Sequence, residues 1–549
     1  MPPMKLYGPR SVVLLTLALL LSLAGAPAAV ALEPEKEEDK AKKEPPPPIA
    51  TEHTVSIGGQ ATRYTARAGR LPLKDEATGR VKAEVFFIAY TKQLDEADKS
   101  LGARPITFAF NGGPGSSSVW LHLGTMGPRR VDYGPEGEPL PPPAKIVDNE
   151  WSWLDFTDLV FIDPVSTGFS RAREGEDAKQ FHGLSEDISA VGEFIRLYCV
   201  REDRWGSPKF LVGESYGTTR AAGLAGHLQD SLGMPVNGVV LVSPVLHFQT
   251  IAFDNGNDTP YWLFLPTYTA TAWHHGKLKG RWAETLEGAV KEAETFARTE
   301  YLTALAQGDS LAPGERDRVV KRLAELTGVS EDFIRRSNLR IRIHQFTKEL
   351  LRSEGRTVGR FDSRYKGIDK DGVNDTYDYD PSYAAIQGPF TGALNQYVRE
   401  ELNYETDLNY EILTGNVQPW NLGANNRYAE TAETLRRAMT TNPSLRLMVA
   451  CGYYDLATPF YAADYTVSHL GLDPALRGNA EVHRYKGGHM MYLRLEDLKK
   501  LKLDAASFYD KARKADGAAV FGIAPPRGGD GGAGERAGGG ARNQQGSTP

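Results

Sequence analysis

Gly213-Glu214-Ser215-Tyr216-Gly217 follows the apolar run Phe210-Leu211-Val212 and precedes Ala221, Leu224, Ala225 and Leu228 at helical spacing. A serine hydroxyl is a poor nucleophile until a base takes its proton. A strand-to-helix turn that admits only small residues two before and two after the serine lifts the hydroxyl above a sheet edge. The pattern therefore marks Ser215 as the nucleophile of an acyl transfer. Its base is expected late in the chain, on a loop. His489 lies in Lys486-Gly487-Gly488-His489-Met490, where the glycines let an imidazole approach without clash. His227 and His247 have no such setting and read as surface or packed side chains. A carboxylate must orient the imidazole and stabilise its charged form. Asp455, in Gly452-Tyr453-Tyr454-Asp455, stands just after the apolar run Leu445 to Ala450. The developing oxyanion needs backbone donors. Tyr216, directly after the nucleophile, offers one N–H. The second is expected from Gly113, in Asn111-Gly112-Gly113-Pro114-Gly115-Ser116-Ser117-Ser118, whose glycines let backbone amides approach a ligand. A phosphate-loop reading of that segment fails, because no Gly-Lys-Ser/Thr follows it.

Holding these groups together takes a sheet whose strands end at the site. Thr54 to Thr65 and Val81 to Tyr90 read as strands, with turns at Gly58-Gly59 and Gly79. Further short apolar strands are Ile106 to Phe110, Leu159 to Ile162, Phe210 to Val212, Val236 to Val242, Leu445 to Ala450 and Glu481 to Tyr485. Leu184 to Tyr198 has helical periodicity, with Ile188, Val191, Phe194 and Ile195 on one face. Strands alternating with helical segments imply βαβ units. The fold class is α/β, with a mostly parallel central sheet and helices on both faces. Core segments are expected at 51–247 and 443–524. Between them, 248–442 is too long for a loop and reads as a mainly helical cap, with helices over 281–306, 313–327 and 331–353. A polar, Tyr- and Asp-rich stretch then runs to about residue 410. Within it, Asp369-Lys370-Asp371-Gly372-Val373-Asn374-Asp375 lacks the spacing of a calcium loop and reads as a polar cap loop.

The chain has 549 residues, 41% hydrophobic and 24% charged, which excludes a wholly disordered or fibrous protein. A net charge of −6 gives no sign of a nucleic-acid partner. Two cysteines, Cys199 and Cys451, exclude a disulfide framework and a Cys-rich zinc module. One bond between them and two separate buried thiols are both open. At the start, Lys5 and Arg10 precede an apolar core from Val12 to Ala24, and the small residues end at Ala29-Val30-Ala31. Residues 1–31 read as an export signal cleaved after Ala31, the competing reading being an uncleaved anchor. Residues 32–50, charged and then Pro-rich, read as a linker. Residues 525–549, Gly-rich, read as a disordered tail. The localisation expected is secreted or periplasmic, with no stable membrane association after cleavage. No cofactor or metal is implied.

The order Ser215, Asp455, His489 is that of α/β-hydrolases. Asn111 to Ser118, Phe161 to Ser170, Gly213 to Gly217 and Gly487 to His489 together resemble the serine carboxypeptidase family, a branch of that superfamily. The resemblance covers about residues 80–250 and 440–510, leaving the cap unmatched by motif. It implies a hydrolase that removes C-terminal residues from peptides. It also implies that Asn111 and Glu214 bind the substrate's terminal carboxylate, with a proton shared between the two acids so that like charges do not repel. The sequence departs from the family pattern at three places. Ala109 replaces a tryptophan, Thr125 a second glutamate and Ser116 a disulfide-forming cysteine. These departures touch substrate choice and leave an esterase or acyltransferase on the same scaffold as the alternative. A binding module with a dead hydrolase fold would require a missing triad member, and all three are present.

Overall fold

The computed structural model describes residues 43–95 and 104–515. The proposed signal, most of the linker and the Gly-rich tail lie outside the described residues. The central sheet starts from a hairpin, β1 (Ile49–Ile57) and β2 (Gln60–Lys74), closed at Gly58 and Gly59. Both glycines have positive φ, 55° and 80°, as a two-residue hairpin turn requires. Next come β3 (Val81–Lys92), β4 (Ile106–Phe110), β5 (Asp158–Ile162), β6 (Lys209–Glu214), β7 (Gly238–Val242), β8 (Arg446–Gly452) and β9 (Ala480–Tyr485). Their order across the sheet is β1-β2-β3-β5-β4-β6-β7-β8-β9, with the short strand Arg171–Ala172 added on β3. The β1-β2, β2-β3 and β3-β5 pairs are antiparallel. From β5 through β4 to β9 every pair is parallel.

Strands β4 to β7 are buried along their whole length. Helices on both faces explain why they read as unbroken apolar runs without alternation. On one face α1 (Leu184–Arg201) and α2 (Tyr216–Leu232) bring Val191, Phe194, Leu224 and Leu228 into a core with Leu211 and Leu241. On the other, the C-terminal helix Leu495–Arg513 packs Leu498, Leu501 and Phe508 against Phe210 and Val240. A further apolar cluster is built on α3 (Thr259–His274), α4 (Leu286–Phe296) and α5 (Pro313–Thr327), and it takes in Leu456 and Ala462 from the chain after β8.

The structure differs from the sequence reading in detail. Ile49 and Ala50, assigned to the linker, begin β1, and Glu44 pairs with Lys74 and Arg201. The strand at Thr65 runs on to Lys74, because its later residues pair with β3. The stretch 331–353 is not one helix. Glu331–Arg336 and Ile343–Glu349 are separated by Asn338 and Leu339, both at positive φ, which no α-helix accommodates. The segment read as polar and loop-like contains α6 (Pro381–Glu400), started by Asp380, whose side chain accepts from Ser382 N and Tyr383 N. In the loop read against calcium, Lys348, itself buried, pairs with Asp369. Cys199 and Cys451 are both free and buried. Among the described residues no helix is long and apolar enough to cross a membrane.

Candidate active site

Ser215 sits between β6 and α2 at φ 60° and ψ −131°, in a region that costs a non-glycine residue strain. Its neighbours show why the turn needs glycine. A Cβ on Gly213 would lie 2.1 Å from Gly217 O, and one on Gly217 would lie 2.7 Å from Phe110 O. The turn is pinned by Ser215 N donating to Val242 O at 3.0 Å and by Thr218 Oγ1 donating to Ser215 O at 2.6 Å. Ser215 therefore stands at the carboxyl edge of the sheet, and it lines a cavity of about 180 Å³ together with His489, Asn111 and Glu214.

Asp455 and His489 meet across the ends of β8 and β9. His489 Nδ1 lies 2.7 Å from Asp455 Oδ2. Asp455 is held in turn by Ala457 N and Thr458 N on Oδ1, at 2.7 and 2.9 Å, and by Thr458 Oγ1 on Oδ2 at 2.8 Å. The histidine backbone is fixed at both ends, its N–H donating to Phe361 O at 2.6 Å and its C=O accepting from Ser243 Oγ at 2.7 Å. With Nδ1–H donated to Asp455, Nε2 is the basic nitrogen. Burial disfavours the charged imidazolium, but the Asp455 charge and hydrogen bond, with help from Glu214, outweigh it and hold the His489 pKa above its ordinary value.

The glycine loop after β4 lies against the start of α2. A Cβ on Gly112 would be 2.4 Å from Tyr216 N, so only glycine allows this approach. Gly113 has φ 97° and lines the cavity. Asn111 Oδ1 accepts from Leu121 N at 3.1 Å, and its carbonyl accepts from Arg220 at 2.6 Å. Arg220 is buried and paired with Asp187 at 2.7 Å. Asp163, from the second matched block, accepts from Ser118 N and Ser118 Oγ at 2.8 and 2.9 Å and from Tyr410 OH at 3.4 Å. It thereby ties the glycine loop to the chain returning from the cap, and burial pushes its pKa up to about 6.

Glu214 is buried, and burial pushes its pKa up to about 7 against the opposing pull of His489 and of hydrogen bonds from Tyr492 and Asn111. Tyr492 OH donates to Glu214 Oε2 at 2.6 Å. Sequence reasoning missed Tyr492, which falls in a short turn of helix after His489 and carries no spacing signal of its own. Its ring lies so close to Gly124 that a Cβ there would be 2.5 Å from it. The tyrosine thus packs on Gly124, next in sequence to Thr125, where the resemblance places a second glutamate. Thr125 is fully buried and its Oγ1 has no hydrogen-bond partner among the described residues. Ala109 is fully buried within β4. Ser116 is satisfied locally, accepting from Trp120 Nε1 at 2.8 Å. The chain between β7 and β8 also supplies Arg360, Phe361, Tyr383 and Leu413 to the cavity wall, none of which the sequence marked.

A family model described as serine carboxypeptidase matches residues 76–507. The pheromone-processing carboxypeptidase KEX1 of Coprinopsis cinerea is 31% identical over 186 residues, 33% of this chain and 28% of that protein. The protein of the same name from Komagataella phaffii is 35% identical over 113 residues, 20% of this chain and 16% of that one. The chain thus matches under a third of the length of these relatives. In fold, the chain is similar to the crystal structure of a prohormone-processing carboxypeptidase, KEX1ΔP from Saccharomyces cerevisiae. The TM-score is 0.50 at 17% identity, over 81% of this chain and 91% of that one.

Proposed function

The chain belongs to the serine carboxypeptidase family, and from that premise we propose that it removes C-terminal residues from peptides through an acyl-enzyme on Ser215. His489 Nε2 takes the Ser215 proton as the hydroxyl attacks the last peptide carbonyl. Asp455 holds the imidazole by Nδ1 and stabilises its charge. The N–H groups of Tyr216 and Gly113 receive the oxyanion, and the proton on His489 passes to the leaving amine. Water, activated by the same histidine, then hydrolyses the ester. Asn111 and a protonated Glu214 hold the substrate's terminal carboxylate. Residues 1–31 act as the export signal of this reading, and 248–442 as the cap that walls the cleft.

The observation that carries the carboxypeptidase reading is Glu214. A buried carboxyl group whose pKa is pushed up to about 7, in one cavity with Ser215 and His489, can when protonated donate to another carboxylate, where the ionised form would repel it. Rates on a free-acid peptide and on the same peptide amidated at its C-terminus test the reading. Strong preference for the free acid supports it. Equal rates favour the esterase or acyltransferase alternative, to which the substitutions at Ala109 and Thr125 lend weight.

A further inference from the structure

The cavity around Ser215 adjoins a second, wider cleft of about 710 Å³, lined in part by Arg342, His344, Tyr377 and Asp380. Arg360, Phe361, Tyr383 and Leu413 border both, whereas Asn111 and Glu214 border only the inner one. A peptide with its terminal carboxylate on Asn111 and Glu214 has this cleft as a continuous path outward, along which the residue supplying the scissile carbonyl passes the seam where Arg360 stands.

Arg360 is half-buried there and forms an ion pair with no carboxylate among the described residues. Its guanidinium lies 5.2 Å from the centroid of the Phe361 ring. Asp380 is the nearby acid, but its Oδ1 is committed to starting α6, accepting from Ser382 N and Ser382 Oγ at 2.9 and 2.5 Å and from Arg360 N at 3.2 Å. The other basic wall residue, Arg342, is exposed and also lacks an ion-pair partner among the described residues. The cleft therefore carries two guanidinium groups against one carboxylate. An unpaired, partly desolvated guanidinium beside a reaction centre is costly unless a ligand supplies the anion.

We propose that Arg360 is a specificity residue that binds an acidic side chain on the acyl side of the scissile bond, so that peptides with Asp or Glu in the penultimate position are preferred. This inference rests on the carboxypeptidase reading above. Two N–H groups of a guanidinium match the two oxygens of a carboxylate, and a lysine or arginine in the same place meets like charge.

The test uses free-acid peptides of one length that differ only in the penultimate residue: Glu, Gln or Lys. In the wild-type protein kcat/KM should favour Glu over Gln by about tenfold, the worth of one charge-assisted contact, and Lys should be the poorest. Arg360→Glu should reverse the order in favour of Lys, and Arg360→Lys should keep it. Raising the salt should narrow the wild-type preference, because the cleft is open to solvent. Equal kcat/KM for Glu and Lys peptides in the wild type, or an unchanged order in Arg360→Glu, overturns the inference and leaves the carboxypeptidase reading standing. Failure to cleave any of the three peptides overturns both. If Arg360→Glu does not fold, the wild-type order and its salt dependence decide.

Discussion

Replacing Glu214 by glutamine isolates the proton on which terminal-carboxylate binding depends. Glu214 is buried, its pKa is pushed up to about 7, and Tyr492 OH donates to its Oε2 at 2.6 Å. Protonated, it offers an O–H to the substrate; ionised, it repels. From about pH 5 to about pH 8 the protonated fraction falls from nearly all to roughly a tenth, so KM for a free-acid peptide should rise roughly tenfold. An ester or amide of the same peptide has no carboxylate to lose, and its KM should stay flat. In Glu214→Gln, Tyr492 can hold the amide oxygen and the amide N–H stays available at every pH, so the free-acid KM should flatten too. The kcat limb moves the other way in both proteins. His489 must be neutral to act, and because its pKa is raised, kcat should climb through a midpoint above the ordinary 6.5. Initial rates by chromatography of released amino acid, fitted separately for KM and kcat, distinguish the two limbs. Parallel KM curves for acid and amide, unchanged by Glu214→Gln, would refute this account of carboxylate binding.

Three further outcomes follow from the geometry. Asp455→Asn should lose activity on the order of 10⁴-fold in kcat, since an asparagine cannot balance the charge of His489 or hold its tautomer; retention of a tenth of the activity would point to another carboxylate. Tyr492→Phe removes a donor to Glu214 Oε2, which should cost about 1 kcal/mol in thermal or denaturant unfolding. It should also shift the rise in free-acid KM to higher pH, because the ionised form of Glu214 loses support; an unmoved KM profile would show that the tyrosine only packs. Gly213→Ala places a Cβ 2.1 Å from Gly217 O. It should destabilise the fold by several kcal/mol, or open the turn and abolish turnover, and a variant with wild-type activity and melting temperature would contradict the turn described.

The parts of the molecule that were legible in sequence are those set by short-range sterics. The glycines at 213 and 217 announce their turn because backbone atoms occupy the places of their missing Cβ atoms. The parallel strands announce themselves because burial on both faces demands mainly apolar residues along their centres, as at Phe108 to Phe110 and Phe210 to Val212. Helix α6 was illegible: Pro381, Gly388, Pro389 and Gly392 break the usual pattern, and packing of Ile386, Phe390 and Leu394 into the core overrides it. Tyr492, Arg360 and Phe361 were illegible for a different reason. Their roles come from contacts across long separations, Tyr492 to Glu214 and Phe361 to His489, and no local spacing encodes such a meeting. The departures at Ala109 and Thr125 could be seen in the sequence, but the tyrosine packed on neighbouring Gly124 could be found only in three dimensions.

The measurement that bears most directly on the account is mass spectrometry of a free-acid peptide digested over time, beside the same peptide amidated at its C-terminus. A carboxypeptidase acting through Ser215 gives a ladder of products shortened one residue at a time from the C-terminus, discriminates strongly against the amide, and gives no ladder as Ser215→Ala. Internal cleavage, loss from the N-terminus, or a ladder that survives Ser215→Ala would contradict it.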